Sequence, residues 1–441
     1  MIWLWIVAAL FFSILPLINK KIDIAYYIWL LIPIDSYGIS VLGATIKPYM
    51  LFAFIIPVIL YARNKQSSVE FSATKGQLLA GAICIMMLTV SIINTQNFTA
   101  IRTSVMALIV YLCAQLSASS SRCDKSEQLS DVFIASSFGL ATVYLIAYFC
   151  MQSGLTLDGI IAYERAEPGL FMCMSNMVDG AYTEAFRLRG FAYDPNAMFL
   201  PFIFGISACV SRLFKKLNLY YILTLIMSVL CIILSSSRMG LLCCILTIAI
   251  SCVVNIAQFS SIKKKILSII GAISLCTVAV IVAMSSFGQQ VLSNLLSTYS
   301  NRSSLTDEYG RFSIWEDCLN IYWEKNPFAG VGLGQMSELT ETSRMTHNTW
   351  LQFICECGII VGGIAVIYFM SVAVIGWAKT KANCKNHPGN SSYLALVIGY
   401  TMTIVSLISV DNITSSYLWF TALLILKMAQ YAKTKTIKPV T

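Results

Sequence analysis

Apolar residues in this chain run in long unbroken blocks. They show neither the two-residue alternation of a half-buried strand nor the one-sided stripe of a soluble helix. Residues 239–257, 266–285, 353–377 and 391–410 are almost free of charge, Glu356 being the exception within them. Each approaches the ~20 residues that carry a helix across ~30 Å of hydrocarbon. Runs of the same kind occupy 2–19, 49–61, 77–94, 103–118, 131–151, 197–211, 218–235 and 412–430. A shorter run at 22–34 raises the total from twelve spans to thirteen if it crosses as well. Hydrocarbon offers the backbone no hydrogen-bonding partners, so each span must close its own bonds as a helix. The expected fold is therefore all-α: a polytopic bundle of transmembrane helices forming a single integral membrane domain over residues 1–441. The first run starts at Met1 with no basic leader and no small-residue cleavage site after it, so it reads as a retained span.

Composition agrees with this pattern. The chain is 57% hydrophobic and 12% charged, with a mean hydropathy of +0.75. A soluble domain carries about 25% charged residues, so that class is excluded. The net charge of +9 would raise the question of nucleic acid, but its placement answers it. Basic residues cluster at Lys20 and Lys21, at Arg63, Lys65 and Lys75, and at Arg122 with Lys125. Further clusters lie at Arg212 with Lys215 and Lys216, at Lys263 to Lys265, at Lys379, Lys381 and Lys385, and at Lys433, Lys435 and Lys438. From residue 63 onward they fall on alternate loops, as the positive-inside rule requires of cytoplasmic segments. The C-terminus is then inside, and nucleic acid is not an expected partner.

The opposite face receives two segments too long for turns, 152–196 and 286–348. Neither has evident strand patterning, and loops of this length are often functional. Within the second, residues 310–326 place Phe312, Trp315, Leu319 and Tyr322 at helical spacing, with Glu316, Asn320 and Glu324 on another face. This predicts an amphipathic helix at the interface, ended by Pro327.

The outer loops hold Arg102, Arg165, Arg187, Arg189, Arg238, Arg302, Arg311 and Arg344, but only Lys47 and Lys325. Lysine satisfies topology as well as arginine does. Arginine is preferred where a phosphate is gripped by two parallel donors. The alternative is pairing with outer-loop acids such as Asp307, Glu308, Glu316 and Asp317. Three positions stand out. Arg238 lies in Ser235-Ser-Ser-Arg-Met-Gly240, a tight polar break between two spans, where snorkelling to the headgroups is the other reading. Arg311 opens the interfacial helix. Arg189 lies in Arg187-Leu-Arg-Gly-Phe-Ala-Tyr-Asp-Pro-Asn196, just before a span that Asn196 could cap.

Only two histidines exist. His387 sits in a cytoplasmic lysine loop. His347 lies where the second outer loop enters a span, in Thr346-His-Asn-Thr-Trp-Leu-Gln352. Asn348, Gln352 and Glu356 follow at helical spacing, a polar stripe descending into hydrocarbon toward a cavity or toward one another. Gly358-Ile-Ile-Val-Gly362 then offers a small-xxx-small surface against which another helix can pack. A histidine above such a stripe is a candidate general base, with a helix-packing hydrogen bond as the alternative.

Other chemistries find less support. One outward histidine builds no zinc site, and no Asp-x-Asp pair offers a metal to a sugar nucleotide. Gly330-Val-Gly-Leu-Gly334 lacks the preceding strand of a dinucleotide loop. Of the 15 cysteines, Cys84, Cys113, Cys231, Cys243 and Cys244 lie within spans as small apolar residues. Cys173 and Cys318 are an outer-loop pair for which a disulfide is one reading.

Taken in order, these motifs resemble the O-antigen polymerase and O-antigen ligase superfamily of bacterial inner membranes. They are Arg-x-Arg-Gly with Asp-Pro-Asn, Ser-Ser-Arg-Met-Gly, Gly-Arg-Phe-x-x-Trp with Asn-Pro-Phe-x-Gly-x-Gly-x-Gly, and Thr-His-Asn-Thr-Trp-Leu-Gln with Glu-x-Gly. The resemblance covers about residues 187–363. It implies an inverting glycosyl transfer at the periplasmic face with no metal and no cofactor. The donor would be an oligosaccharide on undecaprenyl pyrophosphate, within membrane lipids, and a chain-length regulator is a protein partner the resemblance allows. Arg238 and Arg311 would hold the pyrophosphate and His347 would be the base, with Arg189, Asn348 and Gln352 as further binding positions. The histidine motif and the arginine-rich first loop look more like polymerases. Ligation to a lipid A core is the second reading. A flippase or other transporter is a third, disfavoured because the polar groups gather in one leaflet.

Overall fold

The computed structural model describes residues 2–41, 44–63, 73–94, 98–155, 157–164, 167–178, 181–258, 311–340, 346–386 and 391–437. The expected span at 266–285, the Lys263 to Lys265 cluster, His387, Arg165, Arg302 and Arg344 lie outside them.

The other eleven apolar runs are helical. They form α1 (Ile2–Ile14), α2 (Pro48–Arg63), α3 (Lys75–Asn94), α4 (Phe98–Ser120), α5 (Glu127–Gln152), α6 (Leu200–Leu213), α7 (Leu219–Leu234) and α8 (Arg238–Gln258). The amphipathic segment is α9 (Arg311–Lys325), followed by α10 (Thr349–Asn386), α11 (Ser391–Ser406) and α12 (Ser416–Ile437). Five of the described helices are long and apolar enough to cross a bilayer: Lys75–Asn94, Phe98–Ser120, Glu127–Gln152, Arg238–Ala257 and Thr349–Thr380. The 22–34 run breaks into two 3₁₀ turns around a single α-turn. Together they make one short helical segment, Ile24–Ile34, well below the ~20 residues that a span needs.

The first long loop is not strandless. It folds into β3 (Ile161–Ala162), β4 (Phe171–Val178) and β5 (Ala181–Leu188), after a small hairpin of β1 (Ile39–Val41) and β2 (Ala44–Ile46). Strands β4 and β5 pair antiparallel from Phe171↔Leu188 to Val178↔Ala181, and β3 joins β4 in parallel. Asp179-Gly180 between β4 and β5 is a strong hairpin signal in the sequence. Neither β4 nor β5 alternates cleanly between apolar and polar residues, so the apolar pattern alone does not mark them as strands.

The chain divides into two compact units, Met1–Pro16 with Phe133–Arg302, and Leu17–Val132 with Ser303–Thr441. In the first, α6 packs against α7 and α8, and aromatic pairs Phe133–Phe204 and Tyr144–Phe202 join it to α5. Ser207 and Ser251 hydroxyls meet at 3.0 Å between α6 and α8. Hydrocarbon gives such polar groups no alternative partner, so small hydroxyl residues hold helices together.

In the second unit α4 packs against α3, α2 and α12. Its last carbonyls are collected by one cation: Lys427 Nζ, on α12, donates to Ala118 O, Ser119 O and Ser121 O at 2.7, 2.7 and 2.8 Å. A positive charge on the negative end of a helix dipole is favourable, and here it also satisfies three carbonyls at a helix terminus.

Helix α9 ends before Pro327 as expected, but its apolar arc is divided. Ile314, Cys318 and Tyr322 are buried against Val331, Met336 and Cys355. Phe312, Leu319 and Trp323 point outward. Burial holds the Cys318 thiol up at about 12. Cys173 and Cys318 are both thiols, not the two halves of a disulfide.

Helix α10 is broken at Gly358, whose φ of 76° and ψ of 165° are not helical. Gly358 and Gly362 therefore do not form the continuous small-xxx-small face expected. A Cβ on Gly358 would overlap the backbone of Phe328 and Ala329, and one on Gly362 would overlap the Phe353 carbonyl. Gly358 lets the backbone of residues 328–330 lie against the break, where Ile359 N donates to Pro327 O at 3.0 Å.

Candidate functional site

The Gly330–Gly334 segment wraps a carboxylate of its own chain. Its three glycines all take positive φ, which turns successive amides to one side. Gly334 N donates to Glu356 Oε2 at 2.8 Å and Met336 N to Oε1 at 3.4 Å. Gly332 N reaches the Glu356 carbonyl at 2.8 Å and Val331 N that of Cys355 at 3.2 Å. Gln352 Nε2 completes the shell with a 2.9 Å bond to Glu356 Oε2. Glu356 and Gln352 are both buried. The inner end of the polar stripe, Gln352 and Glu356, thus meets the glycine loop, and a costly intramembrane carboxylate is satisfied largely by backbone donors.

Above this latch sits His347, with a left-handed φ of 48°. That region is uncommon for a side chain other than glycine, so the surroundings must hold it. Asn348 caps α10, its Oδ1 accepting from Trp350 N at 3.0 Å and Leu351 N at 3.2 Å. The segment is tied to residues 407–412. Thr349 N donates to Leu407 O at 2.8 Å, Thr349 Oγ1 donates to Val410 O at 2.5 Å, and Asn412 N donates to Thr349 Oγ1 at 2.9 Å. From α9, Trp315 Nε1 donates to Thr346 O at 2.8 Å.

The sequence reading missed Asp411. Its Oδ1 accepts from Thr346 Oγ1 at 2.5 Å and from Asn348 N at 3.0 Å. Its Oδ2 lies 3.4 Å from His347 Nδ1. The signal was available: Asp411 is the one carboxylate in the short turn between the last two apolar runs. The charge alternation puts that turn on the same face as His347.

The arginines fall into two groups. Arg187 and Arg189 are buried. Arg187 Nε donates to Ser235 O at 3.0 Å and its Nη2 to Asn196 Oδ1 at 3.1 Å. Asn196 therefore does not cap α6, which begins at Leu200. Arg189 Nε donates to Gly169 O at 2.9 Å, and its Nη2 donates to Glu167 O. The Arg189 fork braces the backbone that leads into the hairpin, and the Arg187 fork ties the hairpin to the Ser235 carbonyl and the Asn196 side chain. Arg238 is exposed at the first turn of α8. Ser237 caps that helix, its Oγ accepting from Gly240 N at 3.1 Å, while Ser236 takes a left-handed φ of 49°. Arg311, half-buried, is the first residue of α9. Each of these two arginines stands at a helix N-terminus, where unsatisfied amides and the dipole favour an anion. Arg187, Arg189 and Arg238 belong to the first unit, and Arg311, His347, Asn348 and Gln352 to the second. Among the described residues, no three of His, Cys, Asp and Glu come together as a metal site requires.

The fold and these polar sites define a multi-pass α-helical membrane protein with an ionisable cluster at a helix entrance. Residues 223–367 match the family model described as O-antigen ligase. The match is confined to that segment of the chain and supports a likeness to the O-antigen polymerase and ligase superfamily. It takes in Arg238, Arg311, His347, Asn348 and Gln352, and stops short of Asp411. No curated protein matches the chain.

Proposed function

We propose that the protein is an inverting, metal-independent glycosyltransferase of the bacterial inner membrane, acting at the periplasmic face on a glycan carried by undecaprenyl pyrophosphate. The observation that carries this reading is the match of residues 223–367 to the O-antigen ligase family model, a segment that contains Arg238, Arg311 and His347. An acceptor sugar hydroxyl attacks the anomeric carbon of the donor. The bond from that carbon to the pyrophosphate oxygen breaks, and the hydroxyl proton passes to the His347 imidazole. Arg238 and Arg311 neutralise the pyrophosphate as its charge develops, by the electrostatic means that a metal provides elsewhere. Arg187 and Arg189 serve by bracing the hairpin and the Ser235 turn. Asn348 and Gln352 fix the entrance of α10.

Polymerisation, with a second lipid-linked repeat as acceptor, is the favoured reaction. Ligation to a lipid A core is the second reading, favoured by the description of the matched family. The test is complementation of hosts lacking one activity or the other, scored by glycan ladder on gels. A ladder restored in the polymerase-deficient host alone supports polymerisation, and attachment restored in the ligase-deficient host alone refutes it. His347→Gln retains hydrogen bonding but takes up no proton efficiently, and a positioned base contributes ~10²–10⁴-fold. A His347→Gln variant elongating at the wild-type rate would sink the assignment of the base.

A further inference from the structure

The buried carboxylate beside His347 invites a role beyond packing. Asp411 is 4% exposed in its side chain, against 37% for His347. Its Oδ1 is occupied by Thr346 and Asn348. Its Oδ2 is buried and makes no hydrogen bond, while His347 Nδ1 lies 3.4 Å away. A buried carboxylate oxygen without a donor is costly, and a small turn of the imidazole would supply one. The two bonds to Oδ1 prevent Asp411 from turning toward other donors. The left-handed backbone at His347, stitched to the 407–412 segment on its C-terminal side, limits where the ring can go.

We infer that Asp411 is a positioning residue that fixes the tautomer and direction of His347. The inference rests on the reading of His347 as the base. With Oδ2 accepting Nδ1–H, the lone pair of Nε2 is left for the acceptor hydroxyl. The proton removed from that hydroxyl goes to Nε2, and the carboxylate stabilises the resulting imidazolium. The same logic operates wherever a nucleophile's base is oriented by a third group. Asp411→Asn separates this role from scaffolding. An asparagine Oδ1 still accepts from Thr346 and Asn348, but its Nδ2 would face Nδ1, favouring the tautomer that carries hydrogen on Nε2 and cannot accept there.

The experiment uses the full chain in membrane vesicles supplied with undecaprenyl-pyrophosphate-linked oligosaccharide, with rates normalised to inserted protein. Asp411→Asn should lower kcat by ~10²-fold or more, approaching the loss of the base itself, with little change in donor KM. Adding Asp411→Asn to His347→Gln should cost nothing further, since the two act through one group. Asp411→Glu, which keeps the carboxylate, should recover part of kcat. A wild-type kcat in Asp411→Asn, or losses that multiply in the double variant, overturns the inference while leaving the base assignment standing. Wild-type turnover in His347→Gln overturns both. If the asparagine variant does not accumulate, the glutamate variant is read against His347→Gln: faster turnover sustains the inference, and equal slowness overturns it.

Discussion

Glu356→Ala should destabilise the second unit severely, and the size of the effect follows from its hydrogen bonds. The carboxylate is the common acceptor for Gly334 N at 2.8 Å, Gln352 Nε2 at 2.9 Å and Met336 N at 3.4 Å. Removing it orphans the two short donors inside a water-poor core, at ~1–3 kcal/mol each, or about 2–6 kcal/mol together. The longer Met336 contact adds little. Backbone bonds from Gly332 N and Val331 N to residues 356 and 355 remain, so the loop should loosen at Gly334 first. Glu356→Gln keeps an acceptor for Gly334 and should cost less than half as much. The assay is thermal unfolding in detergent with a thiol-reactive dye. The dye reports unfolding because the thiols are largely buried, among them Cys318 and Cys355 in the cluster with Val331 and Met336. The alanine variant should lose on the order of 10 °C, taking 2–4 °C per kcal/mol as for a large domain. An alanine variant melting within a degree or two of wild type would refute the account of the latch as the element that joins α9, the glycine loop and α10.

Gly358→Ala should insert poorly or melt early, because its φ and ψ belong to a region essentially reserved for glycine and its Cβ would meet the Phe328 carbonyl. Normal yield and melting would show that α10 can run straight. Arg238→Lys and Arg311→Lys should each abolish the glycan ladder at wild-type protein levels, since a point charge loses the two-pronged grip on pyrophosphate. Intact ladders in both lysine variants would make these arginines topological charges. Reporter fusions should place residue 264 in the cytoplasm and residues 160 and 320 outside. An outside signal at 264 would reverse the orientation and remove the periplasmic site.

Much of this was legible in the chain. Partition into a bilayer is nearly additive over local sequence, so blocks of apolar residues announced the helices, and eleven of the twelve runs lie on described ones. Pro327 ended α9 for a reason local to the peptide bond. His347 and Arg238 drew attention because polar groups at a helix entrance or a tight break are rare and costly in hydrocarbon. Their places in the fold are those the sequence indicated, at the entrance to α10 and the first turn of α8.

What tertiary structure alone decided is which groups meet. Asp411 reaches Thr346 and Asn348 across 65 and 63 residues of chain. No periodicity encodes such a pairing, because it depends on how α10 and α11 pack. The break at Gly358 likewise arises from a loop that must lie against it, where the isolated sequence reads as one uninterrupted span. Arg189 and Arg238 look alike as letters, both basic and both next to a turn. One is buried against carbonyls and the other faces outward, because burial is a property of the surrounding surface and not of the residue. The sequence by itself determined the solvent, the helices and the reactive residue types. Folding decided which carboxylate serves the glycine loop and which faces the histidine, since hydrogen bonds are short and directional and their partners are fixed only when the helices are packed.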